Sequence, residues 1–494
     1  MKKIIYYVFF LSAVFLFQTS SATATMFMDD RLEIVGDLHQ TAAIRTHRDA
    51  RDIQFTSFRT TLRLEALYDA VTKPELDINF YVLTSYYYDW VLDVDSHMRR
   101  AIRVEAGGNH KYRDYRRPRS GEEFIKELYV DIKYKNFQLR LGKQMVSWGE
   151  TAMTRVADVI NPLDYKYFIA YPEWEDYKLG LWMARMFWRP DNMWQDLTFE
   201  LIVIPFDFEE NHNPVLGVPG IVPPSSDHTM QKMFSKMSRD APHDGLDMLE
   251  FGFRIRGYAD VLEGIDWTLS YFYTRADTPL FDGLDGFNNL LPIFFGGVPS
   301  GKVYEYPRYS STAFTFSTTW DPLKLTIAGE CAYNTDVDYQ YGASLPTAYK
   351  QKDKDIIATA LTVSRKFQVP FLSNNEFLKT RRDSLTFSLT WYHWKLLNHE
   401  YDKSTGEYVM WNGAKRDSSN DTFSIYASMN LFYTKLIPVI QGNYDVNGSV
   451  NTTYVLVYMP GDRIQYAATY VKYYEVSKLS RMNDQVVLSI RYEF

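Results

Sequence analysis

Glu150, Arg155, Asp158 and Asp164 fall in one stretch of chain that also holds Trp148-Gly149 and Asn161-Pro162. Charged side chains gathered at a constriction decide which ions and dipoles pass a pore. The spacing therefore fits a loop folded into a water-filled lumen. Gly142 and Gly149 let the backbone bend where a strand ends, Trp148 anchors the bend, and Asn161-Pro162 initiates a turn. An outward loop whose motif stabilises only itself is the other reading, and the inward loop is favoured. Other chemistry is weaker. Gly296 and Gly301-Lys302 mimic a phosphate loop, but Val303 stands where a Mg²⁺-holding hydroxyl is required. Neither a G-x-S-x-G elbow nor an H-E-x-x-H pair occurs. His212, His228 and His243 are too widely spaced to chelate a metal locally. Asp89, Asp93 and Asp95 read as a solvated acidic tip rather than a Ca²⁺ site. The one cysteine, Cys331, offers no internal disulfide and no haem or zinc motif, so no metal or cofactor is expected.

The elements that must position these residues are strands. Val486, Leu488, Ile490, Tyr492 and Phe494 share one face of the last ten residues, opposite Gln485, Ser489, Arg491 and Glu493. The same alternation places Phe251, Phe253 and Ile255 opposite Glu250, Arg254 and Arg256. It runs through Leu128, Val130 and Ile132, and through Leu385, Phe387, Leu389 and Trp391. Along Ile265–Tyr273 the exception is Phe272, which falls on the polar face. Mean hydropathy is −0.31, and no internal apolar run approaches the ~18–20 residues of a spanning helix, which excludes a polytopic helical membrane protein. Lys+Arg 54 against Asp+Glu 61 gives a net charge of −7 without a basic block, so nucleic acid is not an expected partner.

Strands are expected near 34–46, 58–67, 76–89, 125–134, 137–146, 177–188, 196–204, 248–258 and 264–275. They continue near 309–320, 323–334, 355–369, 383–396, 420–432, 436–447, 450–458, 463–474 and 485–494. Tight connections at 135–136, 189–195, 259–263, 321–322, 433–435 and 459–462 alternate with long ones at 90–124, 147–176, 205–247, 276–308, 335–354 and 397–419. The connection at 370–382 breaks this rule. The expectation is an all-β, antiparallel, up-and-down transmembrane barrel of about eighteen strands, with sixteen as the alternative count, short periplasmic turns and long outer loops. A terminal Phe on such a strand resembles the end of bacterial outer-membrane barrels, which implies recognition of Phe494 by the barrel assembly machinery.

In a membrane barrel the apolar face meets lipid and the polar face the lumen. Arg59, Arg63, Glu65, Glu127, Asp131, Arg140, Glu200, Arg254, Arg256, Glu330, Arg491 and Glu493 are then lumen-lining, as a transverse field or as wall-stiffening ion pairs. Their mixed sign argues against strong anion or cation specificity. Tyr86, Tyr87, Tyr88, Trp90, Trp188, Trp194, Trp391 and Trp394 suit interfacial girdles facing lipid and lipopolysaccharide. Lys2-Lys3, the apolar stretch Ile4–Phe17 and Ala22-Thr23-Ala24 read as a signal peptide over 1–24, leaving 25–494 as a single outer-membrane barrel domain.

Leu139–Glu150 and Val159–Tyr165 carry the motifs Gly-Lys-Gln, Trp-Gly-Glu and Asn-Pro. Here the chain resembles an uncharacterised outer-membrane, porin-like β-barrel family of unknown function marked by Gly-Arg/Lys-Gln, Trp-Gly-Glu and Asn-Pro in this order. Lys143 stands where Arg is commoner. The resemblance implies a pore-like protein with no assigned substrate. It also implies, for some relatives, work beside periplasmic or inner-membrane components that export hydrophobic molecules.

The favoured function is an outer-membrane channel for small solutes, with inward loops setting selectivity. Residues 213–224 and 290–299 are unusually apolar for loops, which leans the solute toward amphipathic or hydrophobic molecules, although packing of the two loops as a cap is the default. A barrel lipase or protease is the alternative from another class. His393, sharing a side with Leu389 and Trp391, gives it little support. A third reading is the sheath of a multi-protein export or electron conduit.

Overall fold

The computed structural model describes residues 25–46, 55–94, 99, 116–118, 121–151, 154–164, 177–191, 196–212, 239–240, 242, 245–261, 263–281, 301–342, 350–368, 385–399, 401–402, 407–411, 414–415, 417–448, 450–474 and 484–494. The signal segment, the whole of 370–382, both apolar loops, Asp95, Trp194, His228 and His243 lie outside them.

Alternation of apolar and polar residues produces eighteen barrel strands among the described residues. The first nine are β1 (Leu32–Arg45), β2 (Phe55–Lys73), β3 (Leu76–Asp89), β4 (Ile125–Tyr134), β5 (Phe137–Gln144), β6 (Leu181–Trp188), β7 (Thr198–Ile204), β8 (Glu250–Ala259) and β9 (Ile265–Arg275). The rest are β10 (Arg308–Trp320), β11 (Leu325–Gly342), β12 (Lys350–Phe367), β13 (Leu385–Leu396), β14 (Ser419–Met429), β15 (Leu436–Asp445), β16 (Val450–Tyr458), β17 (Ile464–Tyr474) and β18 (Gln485–Glu493). Each pairs antiparallel with its chain neighbours, and β18 returns to β1 with Asp37 opposite Glu493 and Arg45 opposite Gln485. Closure leaves no sheet edge to aggregate. The tight connections read from the sequence all fall at one end of the barrel.

The polarity of the wall is inverted relative to a soluble protein. Leu269 is 45% exposed while its neighbours Thr268 and Ser270 are 3% and 4% exposed. Phe253, Phe314, Phe387, Ile425, Ile440, Leu456 and Leu488 continue the exposed apolar face around the wall. Such a surface belongs in hydrocarbon.

Three sequence expectations are corrected. Residues 335–354 are mostly strand rather than loop, because β11 and β12 stay paired up to Tyr341 opposite Lys350, past an irregularity between Asn334 and Val337. Tyr87 and Trp394 are not girdle residues. Tyr87 pairs across from inward Thr61 and lies under Arg59, and Trp394 packs with Ala358 inside; strict alternation with outward Tyr86 and Trp391 requires this. Asp89 is fully buried rather than a solvated tip, accepting from Ser57 Oγ at 2.7 Å and from the Phe58 and Val91 amides at 2.9 and 3.0 Å.

The closing seam rests on Gly36. Its amide and carbonyl exchange hydrogen bonds of 2.9 and 2.8 Å with Phe494, and a Cβ on Gly36 would come within 2.8 Å of the Phe494 ring and of Leu64. Gly36→Val is expected to displace that ring and lower the yield of the compact, heat-modifiable form on unboiled gels after refolding, whereas Gly121→Val, with nothing near its Cβ, leaves it unchanged.

Candidate functional site

Beyond Gln144 the chain turns into the barrel instead of outward. Asn161, fully buried, stitches the two ends of the excursion together. Its Oδ1 accepts from the Val146 amide at 2.7 Å, and its Nδ2 donates to the carbonyls of Gln144 at 3.1 Å and Leu179 at 2.7 Å. Lys178, also fully buried, donates to the Val146 carbonyl, to Ser147 Oγ at 3.0 Å and to both Asp158 carboxylate oxygens at 2.9 and 3.1 Å. Arg155 completes the clasp through Asp158 at 3.3 Å and the Asn161 carbonyl at 2.9 Å. Burial pushes the Lys178 ammonium down to about 8, against the pull of Asp158.

The loop then crosses the inner wall to β11. The Glu330 carboxylate accepts from the amides of Glu150 at 2.6 Å, Thr151 at 2.5 Å and Ala157 at 3.0 Å, and from Thr151 Oγ1 at 2.7 Å. Two features permit the approach. Gly149 has no side chain where a Cβ would sit 3.0 Å from Glu330 Oε1. Val156 and Ala157 land on a floor of small residues, Ala313, Ala332, Ala358 and Ala360. Trp148 is 1% exposed, edge-on to Phe272 with centroids 5.9 Å apart and beneath the Arg254 guanidinium at 5.2 Å. Phe272, out of place in the alternation, is thus the loop's docking partner. Farther along, the Leu163 amide donates to Asn211 Oδ1 at 2.6 Å, and Asp164 lies 3.4 Å from His212.

Of the motif residues, Trp148, Asp158, Asn161 and Pro162 are buried, and the contacts of Trp148, Asp158 and Asn161 hold the loop's shape. Glu150 is exposed and Arg155 part-exposed. Enclosure raises the Glu150 carboxyl above its ordinary range, opposed by Arg256 and Arg254 and reinforced by Glu330 and Asp266.

The strand charges mostly pair along the wall. Glu200 takes Arg185 at 2.7 Å on one oxygen and Arg254 at 2.6 Å on the other. Asp131 holds Arg140 at 2.9 Å and Gln138 at 2.8 Å, with Arg140 over the Tyr129 ring at 4.2 Å. Asp37 lies between Arg63 at 3.7 Å and Arg491 at 3.6 Å, and Arg59 lies 3.8 Å from Asp89. Glu127 accepts from the Met145 amide at 2.8 Å. Glu65 follows Arg63 in the inward row of β2, while Arg256 and Glu493 are exposed. Sequence reasoning passed over Asp37, Arg185 and Lys178. Arg185 was findable as the charged residue of Leu-Trp-Met-Ala-Arg-Met-Phe-Trp; Lys178 gave no signal, sitting where a strand was expected. Outside the barrel, His393 Nδ1 lies 2.9 Å from Asp421 Oδ1, which also accepts from Trp391 Nε1 at 2.7 Å. Among the described residues no group of three or more His, Cys, Asp or Glu is placed to hold a metal.

A closed eighteen-strand barrel with a loop pinned across its interior is a porin-like fold. Residues 20–486 match the family described as "Protein of unknown function (DUF1302)", and the chain belongs to that family. A BenF-like porin from Pseudomonas fluorescens Pf-5 superposes with a TM-score of 0.51 at 10% identity, over 95% of this chain and 99% of that one. OccK2 (OpdF) of Pseudomonas aeruginosa does so with a TM-score of 0.50 at 9% identity, over 95% and 99%. At these identities the likeness concerns the fold. No curated protein matches the chain in sequence.

Removing the Glu330 carboxylate strips the loop of its acceptor. Hydrogen bonds to a charged group contribute about 1.5–3 kcal/mol each, so Glu330→Ala is expected to speed hydrogen exchange at the Glu150, Thr151 and Ala157 amides roughly a hundredfold. Unchanged protection at those amides contradicts the assigned role.

Proposed function

We propose that this protein is an outer-membrane channel for small solutes, in which the loop between β5 and β6 narrows the lumen and sets selectivity. The observation that carries the reading is the Glu330 clasp, which holds the loop to the wall from inside. An unneeded loop gains nothing from a buried carboxylate, whose desolvation costs several kcal/mol unless its hydrogen bonds are satisfied. The exposed apolar outer face and the porin folds of similar shape support placement in the outer membrane, reached through cleavage of 1–24. There the girdle meets lipid and lipopolysaccharide, and Phe494 is the address for barrel assembly. Periplasmic or inner-membrane export components are the partners that family resemblance suggests. The paired wall charges leave the lumen without one dominant sign, which favours amphipathic or dipolar solutes over simple ions.

Within this reading Glu150 is the selectivity residue, because it is the exposed charged side chain among the described residues of the loop, whereas Arg155 is half-buried and Asp158 buried. The test is the reversal potential across a planar bilayer with a salt gradient. Wild type is expected to prefer cations near neutral pH and to lose that preference as pH falls, because protonation removes the negative charge. The loss is expected above the ordinary carboxylate range, since enclosure raises this carboxyl. Glu150→Gln is expected to show no such titration. Identical pH profiles for the two proteins would sink the assignment.

A further inference from the structure

Among the described residues, the interstrand ladder of the barrel is shortest between β6 and β7. These strands pair over only five positions, from Ala184 opposite Val203 to Trp188 opposite Phe199. On its other side β6 pairs with β5 over eight positions, and β7 pairs with β8 over seven. A strand rises about 3.3 Å per residue and tilts about 40°, so five pairs climb roughly 13 Å of an apolar band about 25 Å tall. The ladder stops on the side where the long loops lie. Above it, Leu181–Met183 of β6 and Ile204 of β7 have no ladder partners in each other. The Trp182 amide instead donates to Asp207 Oδ2 at 2.7 Å, from the chain just past β7.

What lies on either side of this unpaired stretch is apolar. Inside, Leu181, Met183, Ile202 and Ile204 are buried in one cluster with Val146, Trp148, Ile160 and Phe272. Outside, Phe206 is 65% exposed beside the seam, and Met186, Trp188 and Leu201 face outward below it. At the inner edge sits the Arg185–Glu200–Arg254 triad, whose formal charge is positive by one, with Arg254 lying over Trp148 in the cluster.

We propose that the upper half of the β6–β7 seam is a lateral portal, through which a small anionic single-chain amphiphile passes between the outer leaflet and the apolar cluster behind the loop. The apolar chain enters between Met183 and Ile204, and the acid head is met by the positive triad. The inference rests on the barrel being a channel and names the solute class that this side entrance would admit.

The probe is decanoic acid carrying a terminal diazirine, photoactivated in phosphatidylcholine proteoliposomes holding the full mature chain. In wild type, label is expected on Trp148 and Phe272 inside as well as on lipid-facing Phe253 and Leu269. The seam is then locked with Met183→Cys and Ile204→Cys in a Cys331→Ser background. Oxidation is expected to abolish label on Trp148 and Phe272 while Phe253 and Leu269 stay labelled, and reduction to restore it. Interior label absent in wild type, or equal in the oxidised and reduced forms, overturns the portal. A second variant, Asp207→Ala, loosens the seam without a crosslink and is expected to raise interior label; no rise overturns the proposal even if the disulfide fails to form. Ionic current is recorded from wild type in parallel. Absence of current removes the channel reading by itself, whereas current without seam-dependent label removes only the portal.

Discussion

The architecture turns on a carboxylate that is nearly inaccessible to solvent. Glu330 is 2% exposed and accepts three backbone amides and one hydroxyl from a loop that begins six strands away in the chain order, at the end of β5. A buried carboxylate is tolerable only when its lone pairs are filled. The loop and the anion therefore fit each other: the loop takes the carboxylate out of water and replaces that hydration with its own amides and hydroxyl, and without the carboxylate those amides lose their acceptor. This mutual requirement explains the alanines of β10, β11 and β12, since only small side chains let backbone come close enough to share the carboxylate. It explains Gly149 in the same way.

The clasp at the far end of the loop follows a different physics. Asn161 and Lys178 are buried: Asn161 cross-links backbone to backbone, Lys178 ties the Val146 carbonyl to the Asp158 carboxylate, and together they set where the loop leaves and rejoins the wall. Trp148 adds apolar area at the bend, packed on Phe272 and capped by Arg254. The result divides the interior unevenly. The side beneath the loop holds an apolar cluster with the Arg185–Glu200–Arg254 group at its edge, while the side formed by β1 to β5 carries arginine–carboxylate pairs and arginine–tyrosine stacks. Among the described residues, Glu150 is the charged residue of this loop that stays exposed.

Much of the barrel was legible because a period of two in the sequence has one physical meaning once lipid is outside. Leu488 and Leu269 show it directly: each is exposed between less exposed neighbours, as the alternation requires. The same rule, applied strictly, also places Tyr87 and Trp394 inside, and misplacing them came from weighing residue type above phase. Phe272 was visible as an exception but not its cause, because the cause is Trp148, more than a hundred residues earlier. The site was legible as a stretch and not as roles. Composition marks Trp148, Asp158 and Asn161 as notable, yet whether such side chains line a passage or fasten a loop depends on burial, which only the packed chain decides. Lys178 gave no periodic signal at all.

The central claim, that a wall carboxylate holds a narrowing loop in the lumen, is tested most directly by single-channel conductance of wild type and Glu330→Ala in the same bilayer. The account predicts steady current from wild type, and a larger and noisier current from the variant as the released loop leaves the passage. Equal, equally quiet currents from the two proteins would contradict it.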